Sequence, residues 1–403
     1  MVLVLGVAMV ARGLLLDSNL IQSSDAYRYV LDGEAVLHGV NPYQHSPDDA
    51  PDSAPDHFQS SLKTDEAQLL LSCVSYPEVP TVYPPLAQVA FAAGAWLSPW
   101  NWFGQRIVFL LCDIATIALL IASLTRFQMP RAWVLLYAWN PIILKEIVNS
   151  AHVDSLATVF LIGAVYTAVR SVESSTLRWP ILCGLAIAGA VLAKLYPAIL
   201  IPVFAAYWLR QRNGIRSSAA FLAAIMIGII LCYAPFLGVG VDALTEGFRR
   251  YAGEWRRNDG AFAILAAITP HARTVYAGIV AVGAICAAIY VYRRDASIPR
   301  LITAIQYTLL GWFLLLPAPY PWYATSLLAI CVLRPRLWSV VISLALATYY
   351  YSFIHEYREH AEHWLSISQA IEHGAIWLAL ALSFVAAKVA PDNSNDIITT
   401  NPS

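Results

Sequence analysis

Twelve apolar runs bounded by charge occupy residues 1–16, 106–124, 133–147, 155–169, 180–193, 197–209, 218–236, 274–292, 300–316, 322–333, 337–354 and 364–388. A backbone facing lipid must satisfy its own hydrogen bonds, and the runs lack the short alternation of a barrel, so each is expected to be a helix. Only 13% of the residues are charged and 59% are hydrophobic, against roughly 25% charged in soluble domains. The expected fold is all-α, a polytopic transmembrane bundle of about 10–13 helices. Residues 1–390 form a single membrane domain in this reading, with 17–105 as a long first external loop carrying interfacial helices. The polar tail 391–403 is expected to be disordered.

Several segments depart from a simple span. Met1–Leu16 lacks the basic start and cleavage site of a signal peptide and reads as a signal anchor. It is short for a crossing of about 20 residues, and a truncated start would account for the shortfall. Residues 84–99 are apolar but fenced by prolines, which suggests an interfacial helix or a half-span. The Pro-, Ser- and Asp-rich stretch 44–66 reads as an irregular loop. The six cysteines show no paired spacing and read as small core residues. A net charge of −1 gives no surface for nucleic acid.

Orientation follows from the basic residues, which cytoplasmic loops collect. Arg126, Arg131, Arg170, Arg178, Arg210, Arg212, Arg216, Arg293, Arg294, Arg300, Arg334, Arg336 and Lys388 fall on one side if 180–209 and 300–333 each pass twice. Both regions carry a proline break at the midpoint, Lys194-Leu195-Tyr196-Pro197 and Pro317-Ala318-Pro319-Tyr320-Pro321. The outer face then receives 17–105, the turn 148–154, the loop 237–273, the loop 355–363 and both breaks.

Four groups on that face could carry chemistry. Asp25 opens a stretch suited to a short amphipathic helix capped by Ser23 or Ser24, while Asp32-Gly33 and Gly39–Tyr43 read as turns. Lys145, Glu146, His152 and Asp154 crowd the end of one span and the start of the next; charges at membrane depth ask for a polar cavity. Arg249, Arg250, Arg256 and Arg257 break the positive-inside pattern and suit a phosphate or anionic lipid head group, or a solvated loop paired with its own acids. Lys194, at the apex of a broken pair, needs an anion. Asp113, mid-span, reads as a helix–helix contact, and the histidines and acids of 355–363 as a solvated loop rather than a metal site.

Read in order, Asp25-Ala-Tyr-Arg-Tyr-Val with Gly39-Val-Asn-Pro-Tyr, Thr81-Val-Tyr-Pro-Pro-Leu, Phe103-Gly-Gln-Arg-Ile-Val-Phe with Asp113, Trp139-Asn-Pro with Asn149-Ser-Ala-His-Val-Asp, Lys194-Leu-Tyr-Pro and Pro319-Tyr-Pro-Trp-Tyr form a familiar series. It resembles the ordered motifs of the GT-C glycosyltransferases. The nearest likenesses are bacterial polyprenyl-phosphate-dependent mannosyltransferases and the catalytic subunit of the eukaryotic GPI mannosyltransferase. The resemblance implies a sugar taken from a polyprenyl-phosphate donor at the outer membrane face and passed to a lipid or glycan acceptor. It implies a central acid in the first external loop, which maps onto Asp25, and a second in the next external turn, which maps onto Glu146 or Asp154. Arg28, Tyr29, Asn41, Tyr83, His152, Lys194, Tyr196, Tyr320, Trp322 and the four arginines stand as substrate-binding candidates. Ala26 and Tyr27 depart from the Asp-x-Asp pattern of some relatives. That leaves a divalent cation, and the identity of the sugar, open.

The chemistry expected is single displacement with Asp25 as base and cations holding the departing phosphate. A secondary transporter or flippase is the alternative, since broken helices with a lysine and acids also make substrate sites. A transporter places polar groups near the midplane between repeats; here they gather at the outer end, and no fixed-period repeat is visible. The chain has no Asn-x-Ser/Thr sequon, compatible with a bacterial inner membrane.

Overall fold

The structure, a computed structural model, describes residues 2–174, 176–351 and 361–389, and among them every regular element is helical. All twelve apolar runs contain helix. Among the described residues, five helices are long and apolar enough to cross a membrane: Phe103–Arg126, Gly214–Glu254, Ala272–Arg293, Ile298–Leu315 and Ser366–Ala386. Pro141–Asn149 and Asp154–Ser171 meet the same test only as a pair, bent by 119° at the break between them. Both proline breaks are real. Lys194 is extended between Arg178–Ala193 and a 3-10 turn at Tyr196–Leu200, and Tyr320 is extended ahead of a 3-10 turn at Pro321–Ala324.

Counting each broken region as two passes makes a geometric demand: the basic ends must meet. Arg126, Glu173, Tyr207, Arg212 and Ser297 line one cavity of about 740 Å³. Arg334 donates to Pro299 O and Thr303 Oγ1 at the same end (3.1 and 3.0 Å). The breaks at 149–154, 193–197 and 316–321 therefore lie at the opposite end, where the functional candidates are.

Within the spans, close approach replaces the hydrophobic drive, because lipid is as apolar as the packed side chains. The run Gly184-Leu-Ala-Ile-Ala-Gly-Ala-Val of Arg178–Ala193 packs against Asp154–Ser171 and Gly214–Tyr233. A Cβ on Gly184 would sit 2.3 Å from Phe221 O.

Outside the spans, helix Asp25–Leu37 lies on Pro85–Leu97, which in turn contacts Phe103–Arg126. Tyr29, Val30, Ala87 and Phe91 are fully buried, and the rings of Tyr29 and Phe91 stack at 4.4 Å. Burial from water drives this layer, at about 1.5–3 kcal/mol for each large apolar side chain. The turn expected at Asp32-Gly33 is corrected here: both residues are buried inside the helix. Asp32 accepts from Arg28 Nε (2.8 Å), Thr81 Oγ1 (2.5 Å) and Gln88 Nε2 (3.3 Å). Gly33 is demanded by packing, since a Cβ there would lie 2.3 Å from Phe91 O. Gly39, with φ +71, is the residue that ends the helix.

The external segments are also more ordered than expected. Residues 44–66 are not one irregular loop but include Ala50–Ser53 and Asp56–Ser61, followed by Asp65–Ser72, held by Phe58, Leu62 and Leu70. The loop 237–273 contains two helices, Gly240–Glu254 and Gly260–Ile268. Cys183 and Cys331 are buried, whereas Cys286 is exposed and so is not a core residue. The cluster at 355–363 and the tail 391–403 lie outside the residues whose side chains are described.

Asp113 is the expected interhelical contact, and its partner is Arg12. Arg12 Nε donates to Asp113 Oδ2 (2.5 Å) and Nη1 to Ala138 O (2.8 Å), with both side chains buried. Asp113→Ala is expected to cost about 3–5 kcal/mol by stranding a buried guanidinium. Arg12→Met with Asp113→Leu should recover most of that loss, checked by thermal unfolding in detergent.

Candidate active site

The site is built where the paired span breaks. Leu144–Asn149 is π-helical, a local overwidening found often at functional positions. Ala151 then adopts φ +56, and His152 N donates back to Glu146 O (3.0 Å). This compact reversal turns Glu146, His152 and Asp154 toward one another. Its carbonyls cannot be left bare at this depth. Buried Arg106 covers Asn149 O with Nε (2.8 Å) and Nη2 (2.6 Å), and Leu16 O with Nη1 (2.6 Å). The Asn149 amide ties down the following strand of chain: Nδ2 donates to Ser18 Oγ (2.8 Å) and Asn19 O (2.7 Å), and Oδ1 accepts Ile21 N–H (3.0 Å). That clasp delivers Asp25 to the turn.

Asp25 is the first residue of its helix, where the dipole favours a carboxylate. The hydroxyl of Ser24 makes no cap; it pairs with Ser75 Oγ (2.7 Å), and Ser23 Oγ reaches His152 Nε2 (3.4 Å). Asp25 Oδ2 lies 3.6 Å from His152 Nδ1 and 3.5 Å from the Tyr83 hydroxyl. On the other side of the ring, His152 Nε2 is 3.1 Å from Glu146 Oε2. Glu146 also faces Lys145 Nζ (3.3 Å) and accepts from the Tyr350 hydroxyl. Asp154 Oδ2 accepts from Lys194 Nζ (2.7 Å).

Exposure separates the three acids. The side chains of Glu146 and Asp154 are fully buried, each beside a lysine that is itself 16% exposed, while Asp25 keeps a third of its surface open. The Lys194 ammonium also rests over the Tyr323 ring at 4.1 Å, and Lys145 over Tyr350 at 4.6 Å. A lysine has three N–H donors, so neither is saturated by its carboxylate.

Aromatic rings wall the pocket. Trp322 stacks on His152 at 4.2 Å and Tyr320 on Trp322 at 4.4 Å. Tyr196 stacks on Trp312 at 4.3 Å and donates to Ser326 Oγ. Tyr29 is buried behind Asp25, with its ring 5.1 Å from Tyr83.

Other candidates sit elsewhere. Arg28 donates to Asp32 and Val79 O, and Asn41 to Phe236 O (3.2 Å) while its Oδ1 accepts Tyr43 N–H. The four arginines do not form one cluster. Arg249 is exposed and turned to Asp242, Arg250 donates to Glu78 O (2.9 Å), and Arg256 pairs with Asp259. Arg257 is fastened by its N–H to Pro317 O (3.0 Å), and its guanidinium reaches Tyr349. Tyr350 joins the site with no sequence signal that singles it out. Lys145 reads as a local partner of Glu146, and nothing in spacing links position 146 to position 350. Among the described residues, no three His, Cys, Asp or Glu side chains are grouped to hold a metal ion.

Residues 15–210, which include Asp25, Glu146, His152, Asp154 and Lys194, match the MptA/B family, described as alpha-(1->6)-mannopyranosyltransferase, N-terminal domain. No curated protein matches the chain. Among solved structures, ArnT from Cupriavidus metallidurans bound to undecaprenyl phosphate is similar, with a TM-score of 0.52 at 11% identity, covering 96% of this chain and 77% of that one. The same protein in the apo state gives 0.54 at 11% identity, covering 96% and 76%. At that identity the likeness is one of fold. The matched domain, which covers just under half of the chain, and the ArnT-like all-helical fold support the resemblance to the GT-C glycosyltransferases.

Proposed function

We propose that the protein transfers a hexose, mannose or a close relative, from a polyprenyl-phosphate donor to a lipid or glycan acceptor. The reaction runs at the outer face of the membrane, facing the periplasm if the host membrane is a bacterial inner one. The donor class is supported by the undecaprenyl phosphate bound to the similar ArnT structure and the sugar by the matched mannosyltransferase domain. One observation carries the assignment of roles. Asp25 is the acid left partly open at the rim of the site, whereas Glu146 and Asp154 are buried and matched by cations.

The chemistry follows from that asymmetry. Asp25 takes the proton of the acceptor hydroxyl as its oxygen attacks the anomeric carbon, and the bond to the prenyl phosphate breaks with inversion. If His152 donates Nε2–H to Glu146, its buried Nδ1 faces Asp25 as an acceptor, and no hydrogen bond is made there in the resting state. The proton can then pass to Nδ1, with Glu146 stabilising the imidazolium. Glu146 is thus a positioning residue rather than a base. As the anomeric C–O bond breaks, the singly charged phosphodiester becomes a monoester dianion, and the one added negative charge needs preorganised cations. Lys194 and Lys145, each with N–H donors to spare, serve that role, and Arg257 stands behind Tyr349. Asp154 holds Lys194 in place. Trp322, stacked between His152 and Tyr320, fixes the imidazole, and Tyr320 offers its outer ring face to the sugar.

Nothing in the site favours the transporter reading. Its charged groups lie at the helix breaks of one end, and the glycosyltransferase domain match covers them.

Two tests follow. Asp25→Asn is expected to insert and fold normally yet lose about 10²–10⁴ in transfer rate, measured with a radiolabelled polyprenyl-phosphate mannose in proteoliposomes; full activity would remove Asp25 as the base. Lys194→Met is expected to lower kcat by about 10²–10³ through lost stabilisation of the leaving group. A change in KM alone would assign Lys194 to ground-state binding instead.

A further inference from the structure

The second proline break poses the same difficulty as the first: its carbonyls lie at the end of a span with no helical ladder to take them. Two of them are met from the loop that follows Gly240–Glu254. Arg257 N donates to Pro317 O (3.0 Å), and Asn258 Nδ2 to Pro319 O (3.4 Å). Asn258 is buried and adopts φ +58, a conformation that asparagine tolerates better than most residues. The last span holds it there. Its Nδ2 also donates to Glu372 Oε1 (3.0 Å), and its carbonyl accepts from His373 Nε2 (3.0 Å). Gly260, two residues on, admits the same ring, since a Cβ there would lie 2.5 Å from His373.

Glu372 differs from the buried acids around the first break. It is fully buried, yet among the described residues no cation is paired with it. The elements packed against its helix, Leu337–Ala345, Leu346–Tyr350 and Gly260–Ile268, contain no lysine, arginine or histidine. His373 is turned to Asn258 O, Arg256 to Asp259, and the Arg257 guanidinium to Tyr349. An ionised carboxylate would stand here uncompensated. The hydrogen-bonding atoms tell the same story. Glu372 Oε2 and Asn258 Oδ1 are both buried and both lack a donor. A carboxylate only accepts and leaves both oxygens bare, whereas an un-ionised carboxyl carries one O–H to share between them. Pro319 O fixes which way the amide faces, because a carbonyl accepts only from its nitrogen.

We propose that Glu372 stands in its acid form and donates from Oε2 to Asn258 Oδ1, closing a reciprocal acid–amide pair that clasps the second proline break to the last span. That break carries Tyr320, Trp322 and Tyr323. Glu372 and Asn258 are thus positioning residues, acting through Trp322, which lies on His152, and through Tyr323, whose ring lies under the Lys194 ammonium. Their effect on rate rests on the glycosyl-transfer reading above; the clasp itself does not.

Two variants separate the acid form from the carboxylate. Glu372→Gln keeps both halves of the pair, since its amide N–H replaces the acid O–H, and Glu372→Leu removes both. The infrared difference spectrum of parent minus Glu372→Gln, in detergent at neutral pH, is expected to show the carbonyl stretch of an un-ionised carboxyl. This measurement needs no destabilised variant. Hydrogen exchange read by mass spectrometry follows the clasp directly. The amides of Arg257, Tyr320 and Tyr323, each bonded at or beside the break, should exchange about tenfold faster in Glu372→Leu and at the parental rate in Glu372→Gln. Transfer from a polyprenyl-phosphate mannose should follow the same order, with kcat about 10–10²-fold lower in Glu372→Leu, donor KM unchanged, and Glu372→Gln equal to the parent. A carboxylate signal in the parent, Glu372→Gln behaving like Glu372→Leu, or Glu372→Leu exchanging like the parent overturns the pair. If the carboxyl signal and the exchange pattern hold but the parent transfers no sugar, the clasp stands and the transfer reading falls. If the parent transfers sugar while Glu372 is ionised, the clasp falls and the reaction stands.

Discussion

Everything at the site depends on covering the backbone of one helix break. Between Asn149 and Asp154 the chain turns by 119° with no regular ladder to absorb its peptide groups, and at this depth a bare carbonyl costs several kcal/mol. Arg106 meets that need from the neighbouring helix, and a further N–H of its guanidinium caps the end of Val2–Leu16 at Leu16 O. Asn149 fixes the next residues of the chain in turn. The same groups that make the break tolerable therefore aim the next helix, and Asp25 arrives beside His152 as a result.

Charge pairing then sorts the acids. Three buried carboxylates around the break have cations: Asp113 has Arg12, Asp154 has Lys194, and Glu146 has Lys145, with His152 and Tyr350 beside it. An unpaired charge in such surroundings would not be tolerated. Asp25 sits at the rim, part open, so it can remain under-satisfied without that penalty. In the proposed reaction, the division between a working acid and supporting acids follows from burial, not from residue type. In the reaction proposed above, the leaving phosphate would meet cations that are already ordered.

Much of this was legible before any coordinate. The apolar runs, the proline breaks and the side on which arginines collect all follow from the hydrogen-bonding demand of lipid and the bias of basic loops. Asp113 as a helix contact was legible too, although its partner Arg12 was not. The errors have local causes. Asp32-Gly33 carries turn chemistry in any window, yet the helix continues through it because Gly33 permits contact with the Phe91 carbonyl. The arginines of 249–257 read as one cluster because they are close in sequence. Helical geometry and the kink at Trp255 scatter them over different partners.

The sequence by itself determined which segments could live in lipid, where they had to break, and which face received the ionisable residues. Those are properties of single segments against a solvent, and each segment carries them alone. Only the tertiary structure decided that Asp25 stays open while Glu146 and Asp154 are buried, that Tyr350 joins the site, and that Tyr76 stands over Trp255. These depend on contacts between positions up to 204 residues apart. No local pattern encodes such pairings, because they arise when the polar groups of separate breaks satisfy one another.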